Sequence, residues 1–97
     1  MIRSAEEMAK QLINIYERTH KKFLLSQDDF KAIAGKERLK DAYLWSVDEQ
    51  LREDGYLLFD LRPENGTIGV IRIKTVKKWM RIDDIDDYIP GDWEEED

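Results

Sequence analysis

Residues 56–75 read YLLFDLRPENGTIGVIRIKT, and this stretch decides the class of fold. Two runs rich in aromatic, leucine and β-branched residues flank a loop that contains an Asn65-Gly66 pair. An Asn-Gly pair between two such runs is a strong β-hairpin signal. We therefore predict strands over residues 56–61 and 67–75, joined by a projecting turn at residues 62–66.

The chain before the hairpin has the pattern of helices. Ser4 followed by Glu7 is a capping-box start signal, and apolar residues recur behind it at helical spacing. Ser26 repeats the start signal, and Gly35 is a typical helix terminator. The predicted elements are a helix over residues 5–21, an extended segment at 23–25, a short helix over 26–34 and a longer helix over 36–53.

Length and composition indicate one small globular domain. The chain has 97 residues, of which 41% are hydrophobic and 39% charged, with no cysteine. The absence of cysteine excludes disulfides and thiolate metal sites. The N-terminus lacks the apolar stretch of a signal peptide, and no apolar run approaches the ~20 residues that span a bilayer. We expect a soluble, cytoplasmic protein that does not interact with membranes.

The charges are distributed unevenly along the chain. Residues 82–97 carry nine of the 22 carboxylates and no Lys or Arg, whereas residues 1–81 carry all 16 cationic side chains and have a net charge of +3. We assign residues 1–81 to the domain and residues 82–97 to an acidic tail. The tail is a solvated end, a competitor that docks on the domain's basic patch, or a surface that imitates nucleic acid; the sequence leaves all three open.

The order helix, short strand, short helix, longer helix and hairpin resembles the winged helix-turn-helix family. The resemblance covers roughly residues 4–80 and rests on this layout rather than on a diagnostic motif. It implies an α+β fold of three helices with a C-terminal β-hairpin wing, followed here by the acidic tail. In that family the third helix usually enters the major groove of DNA and the wing touches the backbone. Many members are dimeric regulators, so a homodimer is among the expected assemblies.

Cationic side chains gather in two parts of this layout. Three stand at the predicted start of the third helix, where they would contact base edges. The others belong to the hairpin and its exit, where they would contact phosphates, because Lys and Arg supply most non-specific affinity for DNA. The layout is expected to bring both groups onto one continuous face. The predicted DNA-binding residues are Lys36, Arg38, Lys40, Arg62, Arg72, Lys74, Lys77 and Lys78.

The outer face of the third helix favours a different partner. The residues that point away from its apolar side at 100° per residue are Asp41, Trp45, Asp48, Glu49 and Arg52. The three carboxylates among them repel phosphates. An exposed tryptophan flanked by charge is typical of protein-binding hot spots. The tail or the hairpin covering Trp45 is the structural alternative. The candidate protein-binding residues are therefore Trp45, Asp41 and Asp48.

The sequence does not favour catalysis. His20 is the only histidine, and no nucleophile motif, phosphate-binding loop or metal-ligand spacing is present. We expect neither an enzyme nor a metal or cofactor. The first hypothesis is a DNA-binding winged-helix regulator or accessory factor of bacterial or phage type that binds double-stranded DNA. The alternative is a winged-helix-like adaptor or inhibitor that binds a protein through Trp45 and an acidic, DNA-like surface.

Overall fold

A computed structural model of the chain describes residues 2–90. Its elements are α1 (Ala5–Thr19), β1 (Phe23–Ser26), α2 (Gln27–Ala34), α3 (Asp41–Glu53), β2 (Tyr56–Leu61), α4 (Arg62–Asn65), β3 (Thr67–Arg72), α5 (Ile73–Lys77) and a 3-10 turn at Asp86–Tyr88. The three strands form one antiparallel sheet in the order β1-β3-β2. The predicted α+β class is confirmed. Residues 91–97, which hold five of the predicted tail's carboxylates, lie outside the described part of the chain.

The helix boundaries follow from local capping. Ser4 accepts a hydrogen bond from the backbone N–H of Glu7, whose side chain accepts from the N–H of Ser4, so the predicted capping box is present. Ser26 caps α2 by accepting a hydrogen bond from the backbone N–H of Asp29, without a reciprocal bond, and Gly35 ends α2 in the left-handed region at φ 72°. His20 takes a left-handed conformation and ends α1 two residues before the predicted end.

Two predicted boundaries are wrong. The third helix begins at Asp41 instead of residue 36, so residues 36–40 form a connecting segment. The second strand of the hairpin ends at Arg72, because the strand it pairs with begins at Tyr56, opposite Arg72. The next backbone N–H, that of Ile73, donates instead to the carbonyl of Gly55, and the chain turns into α5. Residues 73–75, predicted as the end of the strand, therefore belong to α5.

The turn of the hairpin is a short helical segment. Pro63 occupies the first turn of α4, where its missing N–H is not needed, and Gly66 closes the turn at φ 74°. The hairpin register pairs Leu61 with Thr67 and Tyr56 with Arg72. The tip of the hairpin lies beside the start of α3, where Arg62 bonds to Leu39 and Asp41. The open end of the hairpin, where Tyr56 pairs with Arg72, lies beside the C-terminus of α3.

One apolar core lies between the helices and the inner face of the sheet. Its largest fully buried side chains are Phe30, Met8, Leu12, Leu51, Ile68, Val47 and Val70. Helices α1 and α3 both contribute to it and run side by side in the same direction. At one end the Tyr43 hydroxyl donates to the carbonyl of Arg3, and at the other the Tyr16 and Tyr56 rings meet edge to face at 5.2 Å. Among residues 2–90, no helix combines the length and apolarity needed to cross a membrane.

Candidate interaction surfaces

The predicted DNA-binding residues fall into two groups at opposite ends of α3. Lys36, Arg38 and Lys40 lie in the segment that precedes α3. Arg72 lies opposite Tyr56, just beyond the C-terminus of α3, and Lys74 follows on α5. A helix of 13 residues is about 20 Å long at 1.5 Å per residue. The structure therefore places the two groups near opposite ends of α3, and their union in one continuous basic face stays a prediction.

The group before α3 borders a shallow depression that also contains a carboxylate. Ile2, Gly35 and Glu37 line this depression together with the three cationic residues. The Lys36 ammonium lies 4.3 Å from the centroid of the Tyr43 ring, a cation–π contact that fastens the connecting segment to α3. These side chains are not on α3 itself, so the helix does not carry them into a groove of DNA as predicted.

The group beyond the C-terminus of α3 forms a second surface, which we call the basic groove. It runs between the end of α1 and α5. Its lining comprises Tyr16, Glu17, His20, Tyr56, Arg72, Lys74, Thr75 and Lys78. The Arg72 guanidinium lies 5.7 Å from the centroid of the Tyr56 ring. Lys77 is exposed on α5, outside this lining. The sequence analysis did not connect His20 with these cations, because only the packing of α1 against the open end of the hairpin brings them together.

Arg62 is held within the fold. Its guanidinium donates to Asp60 at 2.8 Å, to Asp41 at 2.6 Å and to the carbonyl of Leu39 at 3.0 Å. The hydrogen bonds to Asp60, followed by the one to Asp41, raise the pKa of Arg62 further above its ordinary value. The bonds from Arg62 lower the pKa of Asp60, although partial burial opposes them. Arg62 therefore joins the hairpin tip to the segment before α3, instead of extending toward phosphates.

Replacing Arg62 with alanine is expected to lower the free energy of unfolding by about 1.5–3 kcal/mol. The substitution removes the guanidinium donors to the Leu39 carbonyl and to the Asp41 and Asp60 carboxylates, of which Asp60 keeps its bond from the backbone N–H of residue 62. Bonds to charged groups are stronger than neutral ones. The control is Arg52→Ala, which removes an i,i+4 pair between a 58% exposed arginine and Asp48 and should cost about 0.5 kcal/mol, because Asp48 keeps its bond from the backbone N–H of Leu58. Urea denaturation measures both. Equal losses in the two variants would contradict the role assigned to Arg62.

Trp45 is exposed on the outer face of α3, as predicted. Its side chain is 70% exposed against the rest of the described chain. It lines an open groove between α3 and β2 that we call the acidic face, formed by Asp41, Leu44, Trp45, Asp48, Leu58 and Asp60. An apolar floor between carboxylates gives this surface both apolar area and negative charge.

The carboxylates of the acidic face are positioned by hydrogen bonds to other elements. Asp48 accepts from the backbone N–H of Leu58 at 3.0 Å and from Arg52 at 2.9 Å, which fixes α3 against β2. Asp41 and Asp60 are both bonded to Arg62. The side chain of Asp41 nevertheless remains 94% exposed. The face is thus rigid before any partner arrives, and a preorganised surface loses less entropy on binding.

The described residues do not assemble a recognisable metal site. Among residues 2–90 no group of three or more His, Cys, Asp or Glu side chains could hold a metal ion. Comparison with known proteins gives no match: no family model, no curated protein and no solved structure resembles the chain significantly.

Proposed function

We propose that the chain is a winged-helix protein that binds another protein through the acidic face. The observation that carries this proposal is the 70% exposure of Trp45 in a groove bordered by Asp41, Asp48 and Asp60. The winged-helix assignment is supported by the element order α1-β1-α2-α3-β2-β3 and by the antiparallel sheet order β1-β3-β2. In the family that this layout resembles, the face of α3 is the one that recognises a ligand.

The chemistry of the acidic face favours a protein over DNA. Tryptophan contributes a large apolar area at a small loss of side-chain entropy, and residues of this type dominate protein interfaces. The three carboxylates around it are bonded to two arginines, Arg52 and Arg62, and the remaining net negative charge disfavours a phosphate backbone and attracts Lys and Arg. The partner we infer therefore carries an apolar pocket with a cationic rim, and a rim of that charge also binds the phosphates of DNA.

Affinity capture from a cell extract tests this function. The immobilised full chain is compared with Trp45→Ala and with the control Ile2→Ala, which removes another exposed apolar side chain, 67% exposed and outside the acidic face. We expect a protein that is retained by the parent chain and by Ile2→Ala, is lost with Trp45→Ala and is displaced by added duplex DNA. Retention that is equal on all three columns would overturn the proposal.

A second candidate function is binding of nucleic acid through the basic groove. The observation that favours it is the convergence of Arg72, Lys74, Lys78 and His20 on one groove that contains a single carboxylate, Glu17. Such a cluster provides a local positive potential for phosphates even though the whole chain has a formal net charge of −6. This function uses a surface about 20 Å from the start of α3, so it does not require α3 to enter a groove of DNA.

A salt titration with random-sequence duplex DNA tests the second candidate. The double variant Lys74→Gln/Lys78→Gln should bind more weakly and reduce the slope of log K against log salt by about 2, one unit per lost phosphate contact. The variant Lys36→Gln/Lys40→Gln makes the same charge change at the other end of α3 and should leave the slope unchanged. Equal effects of the two variants, or no binding of the parent chain at low salt, would exclude the basic groove.

A further inference from the structure

Both faces of the three-stranded sheet are apolar. An antiparallel sheet with one solvated face normally alternates apolar and polar residues along each strand. On the inner face, Val70 of β3 lies between Phe23 of β1 and Leu58 of β2. On the outer face, the preceding residue of β3, Gly69, lies between Leu24 and Phe59. Leu57 and Ile71 pair on that outer face as well. Ile71 is already buried within the chain, whereas Leu24 and Phe59 stay exposed, so the area around these two residues is the part of the outer face that a further element would cover.

The outer face contains a groove with an open apolar floor. It is lined by Lys22, Leu24, Phe59, Gly69 and Ile71, together with Phe23 and Val70, whose side chains belong to the inner face. Leu24 is 57% and Phe59 40% exposed. Gly69 lies between them, and a Cβ atom at this position would come within 2.9 Å of Leu24 Cδ2. The glycine therefore keeps the floor of the groove low, and Lys22 adds a cation at its rim. We call this surface the outer-sheet groove.

The segment that follows α5 has complementary chemistry. Its apolar side chains are 44–84% exposed and include Trp79, Met80, Ile82, Ile85 and Ile89. Two aspartate pairs, Asp83-Asp84 and Asp86-Asp87, flank Ile85, and Arg81 is the one cation of residues 79–89, which therefore carry a net charge of −3. The backbone hydrogen bonds within residues 79–89 are local, such as that from the N–H of Tyr88 to Ile85. Apolar side chains and carboxylates in one exposed segment match an apolar groove with a lysine rim.

We propose that residues 79–89 of one copy of this chain dock in the outer-sheet groove of a second copy, and that the exchange is reciprocal. Each copy carries one groove and one segment, so a two-fold axis satisfies both at once and closes the assembly as a dimer. In the described structure the segment's own side chains stay exposed instead of occupying the groove of the same chain. Lys22 of one copy then faces the aspartates of the other, which orients the segment and makes the dimer sensitive to salt.

Sedimentation velocity on the full chain tests the dimer. The parent chain is expected to be dimeric at concentrations where Leu24→Glu, in the groove, and Ile85→Glu, in the segment, are monomeric. Both positions are exposed, so far-UV circular dichroism should show that each variant remains folded. The matched control is Trp45→Ala, which removes an exposed apolar side chain from the acidic face and should remain dimeric. This control separates a failure of the dimer proposal from a failure of the protein-binding proposal.

Mixing the two monomeric variants tests the exchange itself. The Leu24→Glu chain still has an intact segment, and the Ile85→Glu chain still has an intact groove, so an equimolar mixture should recover one of the two contacts and form a weak heterodimer. A parent chain that remains monomeric up to about 1 mM, the scale of the weakest specific contacts, would overturn the proposal. A dimer that survives both substitutions would also overturn it. If the parent chain is monomeric and the NMR resonances of the groove residues shift in Ile85→Glu, the segment occupies the groove of its own chain instead.

Discussion

Replacing Phe30 with alanine is expected to lower the free energy of unfolding by about 3–5 kcal/mol, the range for truncating a buried aromatic side chain. Phe30 is fully buried, and it is the largest of the fully buried side chains. It places α2 against the same core that orients α1 and α3. Since small domains unfold with about 5–15 kcal/mol, this loss removes a large share of the stability. Urea denaturation followed by far-UV circular dichroism measures it.

Phe59→Ala is the matched control for Phe30. Phe59 lies on the outer face of the sheet and is 40% exposed, so its truncation should cost less than about 1.5 kcal/mol. Both variants are measured at a dilution at which the chain is monomeric, so that the comparison holds the chemical change constant and varies only burial within the chain. Equal losses of unfolding free energy in the two variants would mean that Phe30 of α2 does not lie in the core.

Replacing Trp45 with alanine is expected to weaken the protein complex by about 30-fold or more while leaving the fold intact. A central tryptophan anchor contributes 2 kcal/mol or more at an interface, which corresponds to about that factor in the dissociation constant. Because Trp45 is already 70% exposed in the free chain, its removal opens no cavity. Isothermal titration calorimetry with the purified captured protein measures the affinity, and urea denaturation checks stability.

Two further variants define the chemistry of that contact. Asp41→Asn keeps the shape of an exposed side chain but removes its charge. Binding of the partner should therefore depend less on salt, whereas the affinity at high salt, where charges are screened, should change little. Ile2→Ala should change neither. A Trp45→Ala chain that binds the partner as tightly as the parent would place the interface elsewhere on the molecule.

Local signals in the sequence were sufficient for part of the fold. Ser4 and Ser26 mark helix starts because their hydroxyls satisfy nearby backbone donors, and Gly35 marks a helix end because it tolerates a positive φ. The hairpin followed from its Asn-Gly pair and its apolar flanks. The exposure of Trp45 followed from helix phase alone, since residues 41, 45 and 48 share one side of a helix.

The errors arose where distant residues decide local structure. Residues 36–40 consist of good helix formers and therefore read as the start of a helix. Arg62, 23 residues later, instead holds the Leu39 carbonyl, and the Tyr43 ring holds Lys36. The alternating residues after Arg72 likewise read as strand, but no partner strand extends beyond Tyr56. Tertiary context overrides propensity at both boundaries.

The interaction surfaces were only partly predictable for the same reason. The sequence identifies the cationic residues but does not give the distance between the two groups. That distance depends on where α3 begins and on how the hairpin lies against α3. The apolar outer face of the sheet did leave a signal that the sequence analysis did not use. Residues 57, 59 and 61 are as apolar as their neighbours at 56 and 58, so the first hairpin strand has no polar face.

Photo-crosslinking from position 45 in living cells tests most directly whether the outer face of α3 is a protein-binding surface. A photoreactive phenylalanine analogue replaces Trp45 in the full chain, and a second chain carries it at Ile2 as the control. The account predicts a discrete adduct with a basic protein from position 45 and none of that mass from position 2. Adducts to nucleic acid from position 45, or the same pattern of adducts from both positions, would contradict it.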